Sequence, residues 1–390
     1  MLDSTQRHLA DLLGATRLAA DGTAALADLV EHAHGDLRRG GRAGRPGRIA
    51  GMVYGAVRGS ATVVGRLLAL ASPDPGTGRV GGSPARRDAI LAALNGVLGD
   101  HLAATGNPLA TPMRLLSDGV QLDRATLPRT PRVLVLVHGL CMGRRQWLRG
   151  GHDHGAALAP ALGAAPVYLH YNTGLHVSEN GRAFAAALQE LLDRWPVSVE
   201  EITILAHSMG GLVARSACHQ ATLLGRHAWP RALRRIAFLG TPHHGAALER
   251  GGLRLQLLLA ELPYVAAFAR LGRLRSAGIT DLRHGNVLDE DWATSDRFAH
   301  GPDGRTPVPL PSGVECHVLA AAIGMHRARG RDALVGDGFV PLASALGEHP
   351  DPAFDLGIPA AHRWVGRGMH HFTLLQHPEV AAQLHARLAG

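Results

Sequence analysis

One stretch constrains the fold more than any other: residues 202–211 read Ile-Thr-Ile-Leu-Ala-His-Ser-Met-Gly-Gly. Its first residues are apolar and β-branched, which favours a buried strand, and residues 209–220 have the pattern of a helix. Ser208 therefore stands at a sharp corner between strand and helix, with the small residues Ala206 and Gly210 on either side. Such a corner presents a serine hydroxyl as a nucleophile, whereas a serine that only caps the helix is the alternative.

Residues that could activate Ser208 follow it in the chain. A serine nucleophile needs a histidine to remove its proton and a carboxylate to orient that histidine. Residues 314–323 have the pattern of a buried strand, and the loop beyond carries Asp337 between two glycines, with a plain Asp-Gly turn as the alternative. His370 and His371 follow on a loop before a final helix. The order serine, aspartate, histidine is that of α/β-hydrolases rather than of other serine-hydrolase folds.

A site for a negatively charged oxygen is also indicated. Residues 131–137 form a continuous apolar run, typical of a parallel strand covered on both faces, and a His-Gly pair follows at once. We expect the backbone N–H groups of Leu140 and Met209 to form an oxyanion hole, in which each donor contributes about 3 kcal/mol. His138 is interpreted as a structural residue rather than a catalytic one.

Five segments in this order resemble the lipase-type and GPI-inositol-deacylase-like branch of the α/β-hydrolase superfamily. They are Val135–Gly139, Leu205–Gly211, Phe238–Gly245, Gly336–Pro341 and His371–Leu375. The resemblance covers residues 131–390, and five ordered motifs are far more specific than one.

The resemblance implies a catalytic triad of Ser208, Asp337 and His371 and the hydrolysis of carboxylic esters, often of lipids. It favours His371 over His370 because the family histidine directly precedes an apolar segment that leads into the final helix. The chain departs from the family pattern at Ala206, where glycine is usual, and in its doubled histidine.

The fold class expected is α/β, with a mostly parallel, doubly wound sheet and a helical N-terminal extension. Residues 166–172 and 235–240 have strand patterns, and a helix is expected from about 179 to 195. Residues 131–390 would form the α/β-hydrolase domain, and residues 1–130 the extension packed against it. Within the extension, helical periodicity occurs over residues 9–31, 49–71 and 89–101, followed by a turn-rich connection over 105–131.

A lid or cap insertion is possible at about residues 246–300. The run from Leu253 to Phe268 is strongly apolar and lies where this fold often inserts a lid. An ordinary core helix explains the same run equally well.

The charge and the cysteine content of the chain limit the binding partners and the cellular compartment that we expect for it. All 40 basic residues are arginine, and a net charge of +8 over 390 residues is modest and dispersed. We therefore expect no nucleic-acid binding, and at most a weak association with a membrane surface. Three cysteines, with no leading apolar segment after a basic start, are typical of a cytoplasmic protein with reduced thiols. Oligomeric state is left open.

Other reaction classes remain as alternatives to ester hydrolysis. An acyltransferase would use the same triad with an acceptor other than water, and a non-catalytic binding module could use the same fold. The 24 histidines suggest a metal-dependent hydrolase as a further alternative. The candidate ligands are His152, His154, His243 and His244. Their spacing matches no common metal motif closely, so we expect no metal and no cofactor. The expected substrate is a small ester or lipid-like molecule.

Overall fold

An eight-stranded sheet forms the framework of the molecule. The computed structural model describes residues 6, 9–20, 84–117, 120–122, 127–246, 276–293, 303–324 and 336–389. The strands are Arg114–Ser117 (β1), Val120–Gln121 (β2), Arg132–Val137 (β3), Ala165–His170 (β4), Glu201–His207 (β5), Leu233–Leu239 (β6), Glu315–Ala322 (β7) and Arg363–Arg367 (β8). Their order is β2-β1-β4-β3-β5-β6-β7-β8, and all neighbours from β4 to β8 are parallel.

The centre of the sheet is covered on both faces. Residues 133–137 of β3 are all buried, and successive side chains of a strand point to opposite faces. Val135 is in register with Val167 on β4 and with Ile204 on β5, and both partners are also buried. Continuous apolar strands of this kind are typical of a doubly covered parallel sheet. Together with the strand order, this confirms the α/β-hydrolase fold class.

Helices alternate with the strands. They are residues 9–20 (α1), Pro84–Ala104 (α2), His154–Leu162 (α3), Val177–Arg194 (α4), Met209–Leu224 (α5), Ala277–Asp281 (α6), Glu290–Ala293 (α7), Leu342–Leu346 (α8) and Pro378–Leu388 (α9). α4 packs closely on α5, and α3 contacts α9. No helix in the described ranges is long and apolar enough to cross a bilayer.

The chain divides into two compact units. One comprises residues 1–111 and 258–276, and the other residues 112–257 and 277–390. In the first unit, the Asp11 carboxylate accepts two hydrogen bonds from the Arg87 guanidinium, at 2.6 and 2.7 Å, which joins α1 to α2. α1 lies within the segment 9–31 that was expected to be helical, whereas α2 begins before and ends after the helix expected at 89–101. The expected helix at 49–71 lies outside the described residues, as does 21–31.

The sheet begins earlier in the chain than residue 131. The segment 105–131, expected to be a turn-rich connection, contains β1 and β2. β1 runs antiparallel to β4, with Leu115 opposite Leu169. A strand of four residues with only one fully buried side chain has too short a pattern to be recognised from sequence.

Part of the segment considered as a lid packs on the sheet unit itself. Residues 247–275 and 294–302, including the apolar run 253–268, lie outside the described residues. Among the residues between these gaps, the buried Asp281 carboxylate accepts a hydrogen bond from the Val177 N–H at 2.8 Å and lies 3.0 Å from the His176 ring. Trp292 stacks on that ring at 3.6 Å between centroids. These contacts fix the start of α4.

The contact between α4 and α5 leaves no room for a side chain at Gly181. A β-carbon there would lie 2.2 Å from the Ser216 hydroxyl oxygen and 2.5 Å from the Ser216 β-carbon. The Ser216 hydroxyl in turn donates a hydrogen bond to the Val287 carbonyl at 2.7 Å. The helices can therefore approach closely only because residue 181 is glycine.

Gly181→Ala should lower the free energy of unfolding by about 1–3 kcal/mol, because the added methyl group forces the two helices apart. Gly304→Ala is the matched control, since nothing lies within 4 Å of a β-carbon at that position. Urea unfolding of both variants measures the difference. Equal midpoints for the two variants would contradict the close packing of α4 on α5.

Candidate active site

Ser208 occupies the corner between β5 and α5. β5 ends at His207, α5 begins at Met209, and the serine between them has φ of 55° and ψ of −127°. Its N–H donates to the Leu239 carbonyl at 2.9 Å, and its carbonyl accepts from the Gly211 N–H at 3.0 Å. Positive φ is strained for a residue with a side chain, so the surrounding packing must hold it.

Glycines allow neighbouring backbone to come close to this corner. A β-carbon at Gly210 would lie 2.5 Å from the Val137 carbonyl oxygen, and one at Gly139 would lie 2.9 Å from the Ser208 β-carbon. The loop after β3 therefore lies directly against the start of α5. Ala206, where the family pattern has glycine, is fully buried in the strand and is paired with Val137.

His371 and Asp337 form a buried pair. Nδ1 of His371 lies 2.6 Å from Oδ2 of Asp337, and the two side chains are almost completely buried. The other carboxylate oxygen, Oδ1, accepts hydrogen bonds from the N–H groups of Phe339 and Val340, at 2.9 and 2.8 Å. The His371 N–H also donates to the Asp337 carbonyl at 3.1 Å. The carboxylate is thus held in place on both oxygens, and it fixes the orientation of the ring.

The pair lies beside the serine corner. The His371 ring is 4.7 Å from the ring of His207, the residue before Ser208, and the His371 carbonyl lies 3.5 Å from Nε2 of His207. A β-carbon at Gly240 would lie 3.1 Å from Nδ1 of His371 and 3.2 Å from Oδ2 of Asp337. Gly240 directly follows Leu239, whose carbonyl binds the Ser208 N–H. The structure thus brings Ser208, Asp337 and His371 together.

The adjacent His370 is placed differently. It is exposed, and its N–H donates to the Thr373 hydroxyl at 3.3 Å. His371 is instead the first residue of a buried 3₁₀ turn, His371–Leu375, that packs under the sheet end. Neighbours on a tight turn point in different directions, so only one of the two histidines faces the corner.

The two amides expected to form the oxyanion hole flank the corner. Met209 is the first residue of α5, where backbone N–H groups have no acceptor within the helix, and Leu140 follows Gly139, which touches Ser208. Neither N–H donates a hydrogen bond to any residue in the described ranges. Cys141, which follows, has φ of 58° and donates its N–H to the Thr173 hydroxyl at 3.1 Å. This bond holds the loop in its turn.

His138 lies behind the same loop. Its ring stacks on Tyr171 at 4.4 Å between centroids, and the Tyr171 hydroxyl donates to the His138 carbonyl at 2.7 Å. Complete burial lowers the pKa of His138 to about 3, so the ring is neutral at physiological pH. A structural role, as expected from sequence, agrees with this position.

The four histidines considered as metal ligands form no cluster of three donors within the part of the chain that the structure describes. His152 and His154 bond to each other at 2.9 Å, and the far nitrogen of His154 lies 2.9 Å from the Leu374 carbonyl. His243 is buried beside Arg215, and burial holds its pKa well below the ordinary value. The His244 N–H donates to the Ser344 hydroxyl at 3.0 Å.

Two residues that line the site, His207 and Gly240, could not be predicted from the motifs. His207 packs behind His371, and its burial together with the neighbouring ring keeps its pKa well below the ordinary value. Gly240, with φ of 57°, leaves the space that the His371–Asp337 pair occupies. A glycine directly after an apolar strand was the one available signal for the second of these residues.

Parts of the chain are similar to a known family and to solved structures. A family model described as a domain of unknown function, DUF7379, matches residues 113–259. No curated protein sequence matches the chain. Among solved structures, lipase BlEst2 of Bacillus licheniformis in its mature form is 16% identical, with 71% of this chain and 97% of that chain covered and a TM-score of 0.42.

Two further solved structures are similar at the same level. Lipase B of Aspergillus fumigatus is 11% identical, with 71% of this chain and 56% of that chain covered and a TM-score of 0.42. A thermostable esterase of Pseudomonas putida is 17% identical, with 71% of this chain and 81% of that chain covered and a TM-score of 0.36. Identities and TM-scores this low carry no information on the reaction of this chain.

The cysteines of the native protein should react very slowly with a thiol reagent. Cys141, Cys218 and Cys316 are all buried, and burial raises the pKa of Cys141 and of Cys316 to about 12. At pH 8 such a thiol is ionised to only about one part in ten thousand, and the thiolate is the reactive form. Titration with dithionitrobenzoate should detect no fast thiol before unfolding and three after it. A fast-reacting thiol in the folded protein would contradict this expectation.

Proposed function

We propose that the protein is a serine hydrolase that cleaves carboxylic esters through Ser208, His371 and Asp337. The observation that carries the proposal is the buried 2.6 Å contact between His371 and Asp337, beside the strand end that leads into Ser208, a serine with positive φ. A carboxylate, an oriented imidazole and a strained serine on a strand-to-helix turn are the parts that acyl transfer requires.

The reaction begins with attack by the Ser208 hydroxyl oxygen on the ester carbonyl. Asp337 holds the proton of His371 on Nδ1, which leaves Nε2 as the base that takes the serine proton. The carbonyl oxygen becomes negatively charged and is bound by the N–H groups of Leu140 and Met209. When the tetrahedral intermediate collapses, the imidazolium returns the proton to the departing alcohol. An acyl group then remains on Ser208.

Water completes the cycle. His371 takes a proton from a water molecule, the resulting hydroxide attacks the acyl carbonyl, and the proton passes to the Ser208 oxygen as the acid leaves. The neutral imidazole of His371 is the only base that this hydrolysis of the acyl-enzyme needs. The substrate proposed is a small ester or lipid-like molecule. Weak association with a membrane surface and a cytoplasmic location stay predictions.

An acyltransferase would share every step up to the acyl-enzyme. The two reactions separate in the second half, when either water or another alcohol attacks the acyl group. Release of p-nitrophenol from a short-chain ester, followed with and without an added alcohol, tests this choice. Free acid as the main product in both conditions supports a hydrolase, and a new ester as the main product supports a transferase.

Ser208→Ala should abolish both ester hydrolysis and labelling by a fluorophosphonate probe, because it removes the only proposed nucleophile. Ser117→Ala is the control, since this serine lies on β1 and outside the proposed triad. Mass spectrometry of the labelled peptide identifies the modified residue. Labelling that persists in the Ser208→Ala protein would disprove the assignment.

His371→Ala should abolish turnover, whereas His370→Ala should reduce it only mildly. The first change removes the ring bonded to Asp337, and the second removes an exposed ring. Steady-state rates on one short-chain ester decide between them. The reverse ranking would make His370 the base.

Asp337→Asn should slow turnover by about 10⁴-fold, the loss known for an equivalent change in the best-studied serine triad. The asparagine amide does not accept a hydrogen bond from the Nδ1–H of His371 as the carboxylate does, so the imidazole adopts the wrong tautomer. Single-turnover and steady-state rates should fall together while the circular dichroism spectrum is unchanged. Turnover close to normal would point to another acid, such as Asp332, which lies outside the described residues.

A further inference from the structure

Three side chains that can bind metals meet at the amino end of β7. Glu315 and His317 are two residues apart on this strand and therefore point to the same face. His362 directly precedes β8, and the register pairs Val318 with Arg363, one residue further along in both strands. The pairing of β7 with β8 thus places His317 beside His362. Within the described residues this is the only cluster of three such donors.

The separations of the donor atoms fit a single small ion. Oε1 of Glu315 lies 3.2 Å from Nε2 of His317 and 3.6 Å from Nε2 of His362, and all three residues offer donors within 4.8 Å of one another. In a tetrahedral zinc site with bonds of about 2.0–2.1 Å, the ligand atoms are about 3.3 Å apart. Only small rotations would bring the three atoms to that spacing.

The His317 ring is an unexplained polar group in the interior. The side chain is 4% exposed, and among the described residues neither ring nitrogen has a hydrogen-bond partner of good geometry. A buried imidazole whose nitrogens make no well-formed hydrogen bond is costly, and a bound cation would remove that cost.

The surrounding charges leave one carboxylate oxygen available. Nε of Arg235 lies 3.5 Å from Oε2 of Glu315, while Oε1 faces the two histidines. Arg235 also pairs with Glu201, which shares its positive charge between two carboxylates. Arg387 is the other cation whose charge acts on His317. A divalent ion would therefore enter a region that holds two carboxylates and two guanidinium groups.

We propose that Glu315, His317 and His362 form a binding site for Zn²⁺ that ties β7 to β8. Two imidazoles and one carboxylate suit zinc rather than magnesium or calcium, which prefer oxygen ligands. Glu315 is 43% exposed and His362 is 29% exposed, so the fourth position opens to water.

This site is separate from the proposed reaction. The Ile323 N–H, next to the opposite end of β7, bonds to the Gly336 carbonyl and so leads into the loop that carries Asp337. Glu315 and Ile323 are eight residue steps apart along extended chain, a span of about 26 Å. A metal ion at the amino end of β7 cannot touch the ester, and its effect would be on stability.

The test uses the full chain without a histidine tag, stripped with a chelator and then dialysed against Zn²⁺. We expect one equivalent of bound zinc, and Co²⁺ in its place should give the intense visible bands of a four-coordinate site. His362→Ala and Glu315→Gln should weaken zinc binding by at least about 10–100-fold, the range known for loss of even an outer partner. Both are partly exposed positions, so the variants should fold, whereas His317→Ala would empty a buried position.

His385→Ala is the matched control, because this histidine is exposed on α9 and outside the cluster. It should bind zinc as the unchanged protein does. Less than one equivalent in the unchanged protein, or unaltered affinity in both His362→Ala and Glu315→Gln, would overturn the proposal.

A second measurement separates this site from the catalytic proposal. Zinc should raise the melting temperature of the unchanged protein and of His385→Ala but not of His362→Ala, because ligand binding stabilises only the folded state. Chelation should lower the melting temperature and leave the rate of ester cleavage at 25 °C unchanged. An identical zinc-induced shift in His362→Ala would overturn the zinc site, whatever the outcome with Ser208→Ala.

Discussion

The close approach of the β3 loop to the first turn of α5 is the constraint on which the candidate site depends. Because Gly139 and Gly210 have no side chains, backbone from two crossovers meets within van der Waals distance of Ser208. That packing holds the serine at φ of 55°, a conformation its own side chain disfavours. The same approach brings Leu140, which follows Gly139, close to the corner from which Met209 starts α5. One steric requirement thus fixes the proposed nucleophile and the proposed oxyanion donors together.

The second half of the site, the Asp337–His371 pair, depends on the hydrogen bonds that the Asp337 carboxylate accepts. Oδ1 of Asp337 is taken by the N–H groups of residues 339 and 340 from its own turn, so only Oδ2 is directed at His371. Gly336 and Gly338, both with positive φ, permit that turn. The carboxylate cannot easily rotate away, and the imidazole therefore keeps one orientation. Backbone hydrogen bonds, rather than contacts with large side chains, hold the Asp337 carboxylate and the His371 ring in this orientation.

Sequence predicted the parts of the fold that depend on continuous patterns. The runs that became β3, β5 and β7 are buried on both faces, and long apolar runs of this kind are easy to recognise. The short strand β1 was missed because four residues carry too little periodicity. Ser208, Asp337 and His371 could be named because each follows a recognisable strand or loop, and the structure brings them together.

The remaining features could not be predicted from sequence because they depend on which strands pair and in which register. His317 and His362 are far apart in sequence, and only the pairing of β7 with β8 makes them neighbours. The position of His207 behind His371 depends in the same way on how the loop after β8 packs on the end of β5. No local sequence pattern indicates which strands are adjacent in the sheet.

The origin of the Asp337–His371 pair in the loops after β7 and β8 has a consequence for the order in which the protein matures. Ser208 and the Leu140 and Met209 amides lie between β3 and β6, and therefore precede both of these loops in the chain. Because a domain generally folds as a unit, the serine corner and the proposed base come together only when β7 and β8 have joined the sheet. Docking of the edge strand β8 is then the event that supplies the proposed base. Reactivity of Ser208 would therefore report on the completion of the sheet.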